Sequence, residues 1–131
     1  MKKKILIVED DQDLRQTLQM HLELLGYDSI LAVNGKEAVD LATSQVPDLI
    51  LMDLIMPVMD GLQATRLIRE HPNTESTPII AMTAKVTSEN KIECLQSGCD
   101  GHIAKPFTSK QLVSIIEKLL KQKGSLRTLS P

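Results

Sequence analysis

Leu49-Ile50-Leu51-Met52-Asp53, four apolar residues closed by an acid, decides the reading of this chain. Successive side chains on a strand point to opposite faces, so an unbroken apolar run needs cover on both sides, as in the interior of a parallel sheet. Four further runs lie on either side of it: Ile5-Leu6-Ile7-Val8 before Glu9-Asp10, Ser29-Ile30-Leu31-Ala32 before Val33, Ile79-Ile80-Ala81-Met82 before Thr83, and residues 101–104 before Lys105.

Between the runs the apolar residues switch to helical spacing. The first helix begins at Asp11 to Asp13, carries Leu14, Leu18, Leu22 and Leu25 on one stripe, and stops at Gly26. Asn34 and Glu37 offer a cap for a second helix that buries Ala38, Leu41 and Ala42 before Pro47. A loop over 57–61 leads to a third helix with Leu62, Leu67 and Ile68 inward, ended by Pro72-Asn73. Thr87 or Ser88 caps a fourth, with Ile92 and Leu95 facing the core and Gly98 as its stop. Thr108 and Gln111 form a capping box for a fifth, whose Leu112, Ile115, Ile116, Leu119 and Leu120 hold the helical period. Strict strand-helix alternation implies right-handed crossovers with helices on both faces of a parallel sheet. The expected fold is therefore α/β, a flavodoxin-like doubly wound sheet of five strands in the order 2-1-3-4-5 with five helices.

Composition narrows the function. The chain has 131 residues, 42% hydrophobic and 24% charged, with a net charge of −2. That suits one ordinary globular domain and gives no basic surface for direct nucleic-acid binding. No apolar stretch approaches the roughly 18 residues of a membrane span, and Lys2-Lys3-Lys4 is followed by too few apolar residues for a signal peptide. Membrane insertion is not expected, and the expected compartment is cytoplasmic. Cys94 and Cys99, five residues apart on or beside a helix, are expected on different faces as two reduced thiols rather than a disulfide. Residues 1–123 read as one domain, and 124–131, with neither period nor apolar mass, as a flexible tail.

In open α/β sheets ligands bind in the crevice outside the carboxyl ends of the strands. In the order 2-1-3-4-5 that crevice gathers Glu9, Asp10, Asp53, Thr83 and Lys105. Three clustered carboxylates repel one another, and a hard divalent cation such as Mg²⁺, which takes few carboxylates plus water and phosphate oxygen, would resolve the repulsion. Asp53, the one acid at the end of the buried central run, is the candidate nucleophile for attack on phosphorus. Lys105 offers a cation for a phosphoryl oxygen, Thr83 a hydroxyl, and Ala84 a backbone N–H. Each has a plainer reading: a solvated acidic loop, a surface lysine, a strand-ending threonine.

The segments Ile7-Val8-Glu9-Asp10-Asp11, residues 52–61 (Met52-Asp53-Leu54-Ile55-Met56-Pro57-Val58-Met59-Asp60-Gly61), Met82-Thr83-Ala84 and Ala104-Lys105-Pro106-Phe107 resemble the receiver domains of two-component response regulators. The resemblance implies that Glu9 and Asp10 are the acidic pair and Asp53 the phosphoacceptor. It implies that Ile55 ligates the metal through its backbone carbonyl, that Thr83 is the switch hydroxyl and that Lys105 is the phosphate-binding cation. Asp11, next to the acidic pair, is read as a helix cap. A histidine kinase or histidine phosphotransfer protein is the implied phosphodonor. The implied output is a downstream protein bound through the face of the fourth helix, fifth strand and fifth helix. His102 stands where such domains more often have tyrosine or phenylalanine, in the ring position expected to turn inward as Thr83 moves. Lys105-Pro106 is a candidate cis peptide bond.

Other classes fit less well. Aspartyl-phosphate hydrolases resemble Asp-x-Asp at this place, and position 55 is Ile. A flavin carrier would have only Tyr27 and Phe107 for stacking. A DNA-binding output would need a further domain after Lys123, so the chain is either a single-domain regulator or a receiver piece of a larger one.

Overall fold

A computed structural model describes residues 2–56, 58–84 and 87–129, with the side chains of Asn90 and 123–129 left aside. Pro57, in the segment that follows Asp53, lies outside the described residues. The chain runs β1 Lys4–Val8, α1 Gln12–Leu24, β2 Asp28–Ala32, α2 Gly35–Gln45, β3 Leu49–Asp53, α3 Gly61–Glu70, β4 Ile79–Thr83, α4 Ser88–Ser97, β5 Gly101–Ala104 and α5 Ser109–Leu129. The strands form one parallel sheet in the order β2-β1-β3-β4-β5, as the alternation predicts.

Every residue of β3 and β4 is buried, the consequence of unbroken apolar runs with helices on both faces. Leu6, Val8, Ile50 and Met52 pack with Ala38, Ala42, Ala64 and Ile68 of α2 and α3. On the other face Ile5, Ile7, Leu49 and Leu51 pack with Leu18 and Leu22 of α1 and Leu112 and Ile116 of α5. Each such leucine or isoleucine contributes about 1.5–3 kcal/mol relative to exposure, so the central strands are the rigid frame of the molecule.

The helix ends follow their capping residues. Asp11 Oδ1 accepts from the N–H groups of Asp13 and Leu14, which confirms it as the cap of α1. Asn34 accepts from the Glu37 N–H at 2.8 Å. Thr108 and Gln111 make both halves of a capping box, at 2.9 and 3.1 Å.

Three helical stripes differ from expectation. Ile92 and Leu95 are exposed, and it is Cys94 and Ser97 of α4 that turn inward. Leu25 and Leu67 are likewise outside the core. A helix covering a sheet edge uses a narrow stripe, so small residues suffice inside and periodicity alone misassigns the larger ones. Cys94 and Cys99 are both buried, in the same core cluster and with free thiols. The Cys99 N–H donates to the Cys94 carbonyl at 2.9 Å, with Gly98 between them at φ +104°, so the helix ends in a Schellman turn. That reversal brings the two side chains together, which helical-wheel spacing does not anticipate. The backbone of α5 is helical over Ser109–Leu129.

Candidate functional site

The carboxyl ends of β1, β3, β4 and β5 converge as the strand order requires. Glu9 follows β1 and is 1% exposed, and its N–H is held by the Ala32 carbonyl at 3.1 Å. Asp53 ends β3 and is 5% exposed. Met82 of β4 stands opposite Asp53, so Thr83 lies one residue further along the neighbouring strand and is also buried. Lys105 follows β5 and its N–H donates to the Thr83 carbonyl at 2.7 Å, extending the ladder by one bond. The Lys105-Pro106 bond is cis, as the sequence suggested.

The side chains meet. Lys105 Nζ lies 2.7 Å from Glu9 Oε1 and 3.4 Å from Asp53 Oδ2. Carboxylate oxygens of Glu9, Asp10 and Asp53 all lie within 4.8 Å of one another. Among the described residues, one ammonium therefore pairs with two of the three clustered acids. Burial pushes the Glu9 carboxyl up, the hydrogen bond from Lys105 opposes this, and the nearby Asp53 raises it further, to about 7 in all. Lys105 shows the other side of that imbalance. Burial alone would lower its pKa, but the hydrogen bond to Glu9 and the charges of Asp53 and Glu9 outweigh burial and raise it. The two shifts agree: the Lys105 ammonium is well served, and the Glu9 carboxylate is not.

This donor set fits a hard divalent cation. The three carboxylates offer oxygen ligands only, and their uncompensated charge is what such an ion would neutralise. Of the other expected residues, Ile55 is 77% exposed and its N–H donates to Asp53 Oδ1 at 3.3 Å, which fixes the carboxylate from behind. Its expected part was through the carbonyl instead. Ala84 is exposed just beyond Thr83. His102, on β5 opposite Ala81, is half-buried and lines a cavity of about 510 Å³ with Leu95, Ile115 and Lys118.

Two supporting residues were not singled out from the sequence. Gly61 opens α3 where an added Cβ would sit 2.2 Å from the Asp53 carbonyl oxygen, so only glycine lets this helix approach the end of β3. A glycine directly after a capping acid, Asp60, is the signal that was available. Arg15, one turn into α1, sends Nη1 to the Glu9 carbonyl at 2.9 Å and to the Asp10 carbonyl at 3.4 Å.

The response regulator receiver domain model matches residues 5–117. The transcriptional regulatory protein SrrA of Staphylococcus aureus is 40% identical over 125 residues, covering 95% of this chain and 51% of that protein. The chain thus spans about half the length of the curated relatives it matches. Among solved structures, the receiver domain of sensor histidine kinase PA1611 from Pseudomonas aeruginosa, with a magnesium ion coordinated in its active site cleft, is 38% identical at a TM-score of 0.87. That match covers 92% of this chain and 99% of the other. The chemotaxis protein CheY4 of Vibrio cholerae is 30% identical at a TM-score of 0.88, covering 91% and 99%.

Proposed function

The chain belongs to the response regulator receiver domain family, and on that premise we propose that Asp53 is its phosphoacceptor, with Glu9, Asp10, Asp53 and the Ile55 carbonyl as the Mg²⁺ ligands. Receiver domains are phosphoacceptor signalling modules that interact with histidine kinases or phosphotransfer proteins, and they bind Mg²⁺ at the site of transfer. The observation that carries the residue assignment is the buried Asp53 carboxylate, within reach of one ammonium and two further acids.

In this reading a carboxylate oxygen of Asp53 attacks the phosphorus of a phosphohistidine. The O–P bond forms as the P–N bond breaks, and the departing imidazole nitrogen keeps the electron pair. The N–H of Ile55 steadies the attacking carboxylate. Lys105 exchanges part of its contact with Asp53 for a phosphoryl oxygen, while the Thr83 hydroxyl and the Ala84 N–H donate to the others. When bound, Mg²⁺ supplies positive charge against the phosphoryl oxygens.

The output belongs, in the same reading, to the α4-β5-α5 face. Support comes from the cavity lined by Leu95, His102, Ile115 and Lys118 and from the exposure of Leu95, at 72%. His102, bordering that cavity, is the ring that would answer Thr83. We take residues 1–123 as the receiver domain and 124–131 as a tail, and a protein as the target rather than nucleic acid. We place the chain in the cytoplasm, where its two thiols stay reduced. No helix among the described residues is long and apolar enough to cross a membrane.

Incubation with a small acyl phosphate and Mg²⁺ tests the assignment. The wild type should gain one phosphoryl group per chain and Asp53→Asn none, read by intact mass. Equal incorporation by both would end the assignment.

A further inference from the structure

We propose that Arg15 is a positioning residue for the acidic pair: its guanidinium fixes both peptide units flanking Asp10 and, through the second of them, presents an N–H to Glu9. The inference rests on the reading of Glu9 and Asp10 as metal ligands given above.

Asp10 sits on the loop between β1 and α1, exposed, and no hydrogen bond to its carboxylate is found among the described residues. With no such partner, what the fold fixes of Asp10 is its Cα–Cβ direction, and that is set by its backbone. The peptide unit before it ends in the Glu9 carbonyl and the one after it in the Asp10 carbonyl, and Arg15 Nη1 donates to both, at 2.9 and 3.4 Å. Holding the planes on either side of one Cα restrains both its φ and its ψ. In a trans peptide the N–H points opposite to the C=O. With the Asp10 carbonyl turned toward Arg15, the Asp11 N–H turns the other way, where it donates to Glu9 Oε2 at 3.3 Å. One guanidinium thus orders the exposed acid directly and the buried one through a single peptide plane.

Charge alone would not favour an arginine here. A cation in the first turns of a helix opposes the helix dipole, and a cation beside a cation site weakens it. The backbone grip is what the position supplies. It also separates the two effects experimentally, since deleting the charge should tighten Mg²⁺ binding and deleting the grip should weaken it.

The full chain would be compared with Arg15→Met, Arg15→Lys, Asp10→Asn and, as a control on exposed α3, Arg66→Met. Mg²⁺ affinity is measured by calorimetry, and the Asp11 amide is followed by NMR in chelated protein. Arg15→Met should weaken Mg²⁺ about 10-fold, in the range seen when groups supporting metal ligands are lost. The Asp11 amide proton should shift upfield and exchange faster, Arg15→Lys should recover part of both effects, and Arg66→Met should change neither. Unchanged or tighter Mg²⁺ binding in Arg15→Met, or weaker binding with an unmoved Asp11 amide, would overturn the role of Arg15. Wild-type affinity in Asp10→Asn would instead overturn the metal reading itself, and the inference with it.

Discussion

At the end of the sheet away from the site, Arg69 of α3 donates to the carbonyls of Gly98, Thr74 and Thr77 and to the carboxylate of Asp100. Asp100 in turn accepts from the Ile79 N–H at 2.8 Å and gives its own N–H to the Ile79 carbonyl. At the site end, Lys105 is, among the described residues, the one cation paired with the carboxylates of Glu9 and Asp53, with Asp10 beside them. One cluster is satisfied by the protein itself, tying α3, β4 and the turn after α4 together. The other is left short of positive charge, with a buried glutamate whose pKa is pushed up to about 7. The contrast divides the labour of the fold: the closed cluster serves stability, and the open one is the candidate cation site.

The largest effect should come from breaking the closed cluster. Arg69→Ala strands three carbonyls and one acid, and should lower the unfolding free energy by about 4 kcal/mol, discounted for the partial exposure of Asp100 and its remaining bond to Ile79. Lys105→Met should cost less than half as much, because Glu9 can neutralise itself by keeping a proton. Urea titrations of both variants would test this, and equal losses would erase the contrast.

A smaller effect, up to about 3 kcal/mol, should appear as a pH slope in chelated protein. The folded state holds the Glu9 proton up to about pH 7, whereas the unfolded chain releases it near 4.5, so the folded state binds more protons in between. This contribution to stability is complete below the unfolded pKa and is lost as pH rises through the folded one. Metal-free stability should fall across that window, and added Mg²⁺ should oppose the fall by competing with the proton. Glu9→Gln should flatten the slope and be the more stable protein at pH 8. The same slope in Glu9→Gln would locate the excess charge in another group.

How the sequence announced these two ends differs in kind. Strand order, all five helices and the acid-acid-lysine cluster were legible because each strand-ending residue sits next to a run whose burial is unambiguous. Asp11, Asn34 and the Thr108-Gln111 box were legible because capping is local chemistry. The Arg69 cluster was not, since its partners lie up to 31 residues away and three of the four are backbone carbonyls, which leave no trace in side-chain pattern. The same holds for Arg15, whose partners are also carbonyls. Cys94 and Cys99 misled because a left-handed glycine between them cancels the helical phase, and Ile92 and Leu95 because size was taken as a proxy for burial.

The smallest effect concerns a matched pair of strained residues, one at each end. Val46 caps α2 at φ +46°, and Val58 sits in the loop after Asp53 at φ +72°. A left-handed conformation costs an ordinary L-residue about 1–2 kcal/mol, and a β-branched one has little with which to offset it. Val46 is partly exposed and Val58 is 79% exposed, so neither recovers the cost by burial. Replacing Val46 with glycine removes the strain but returns some chain entropy to the unfolded state, for a net gain of about 1 kcal/mol. Because Val46 lies at the far end, phosphorylation by a small acyl phosphate should proceed at the wild-type rate. Val58→Gly should gain similar stability yet slow the reaction, since that loop leads from Asp53 to the Gly61 contact, where the Gly61 N–H closes on the Leu54 carbonyl at 3.0 Å. Thermal melts and phosphorylation time courses on the two variants decide it. Loss of stability in Val46→Gly would refute the strain, and identical phosphorylation rates would show that strain at the site end does no more for the chemistry than strain at the other.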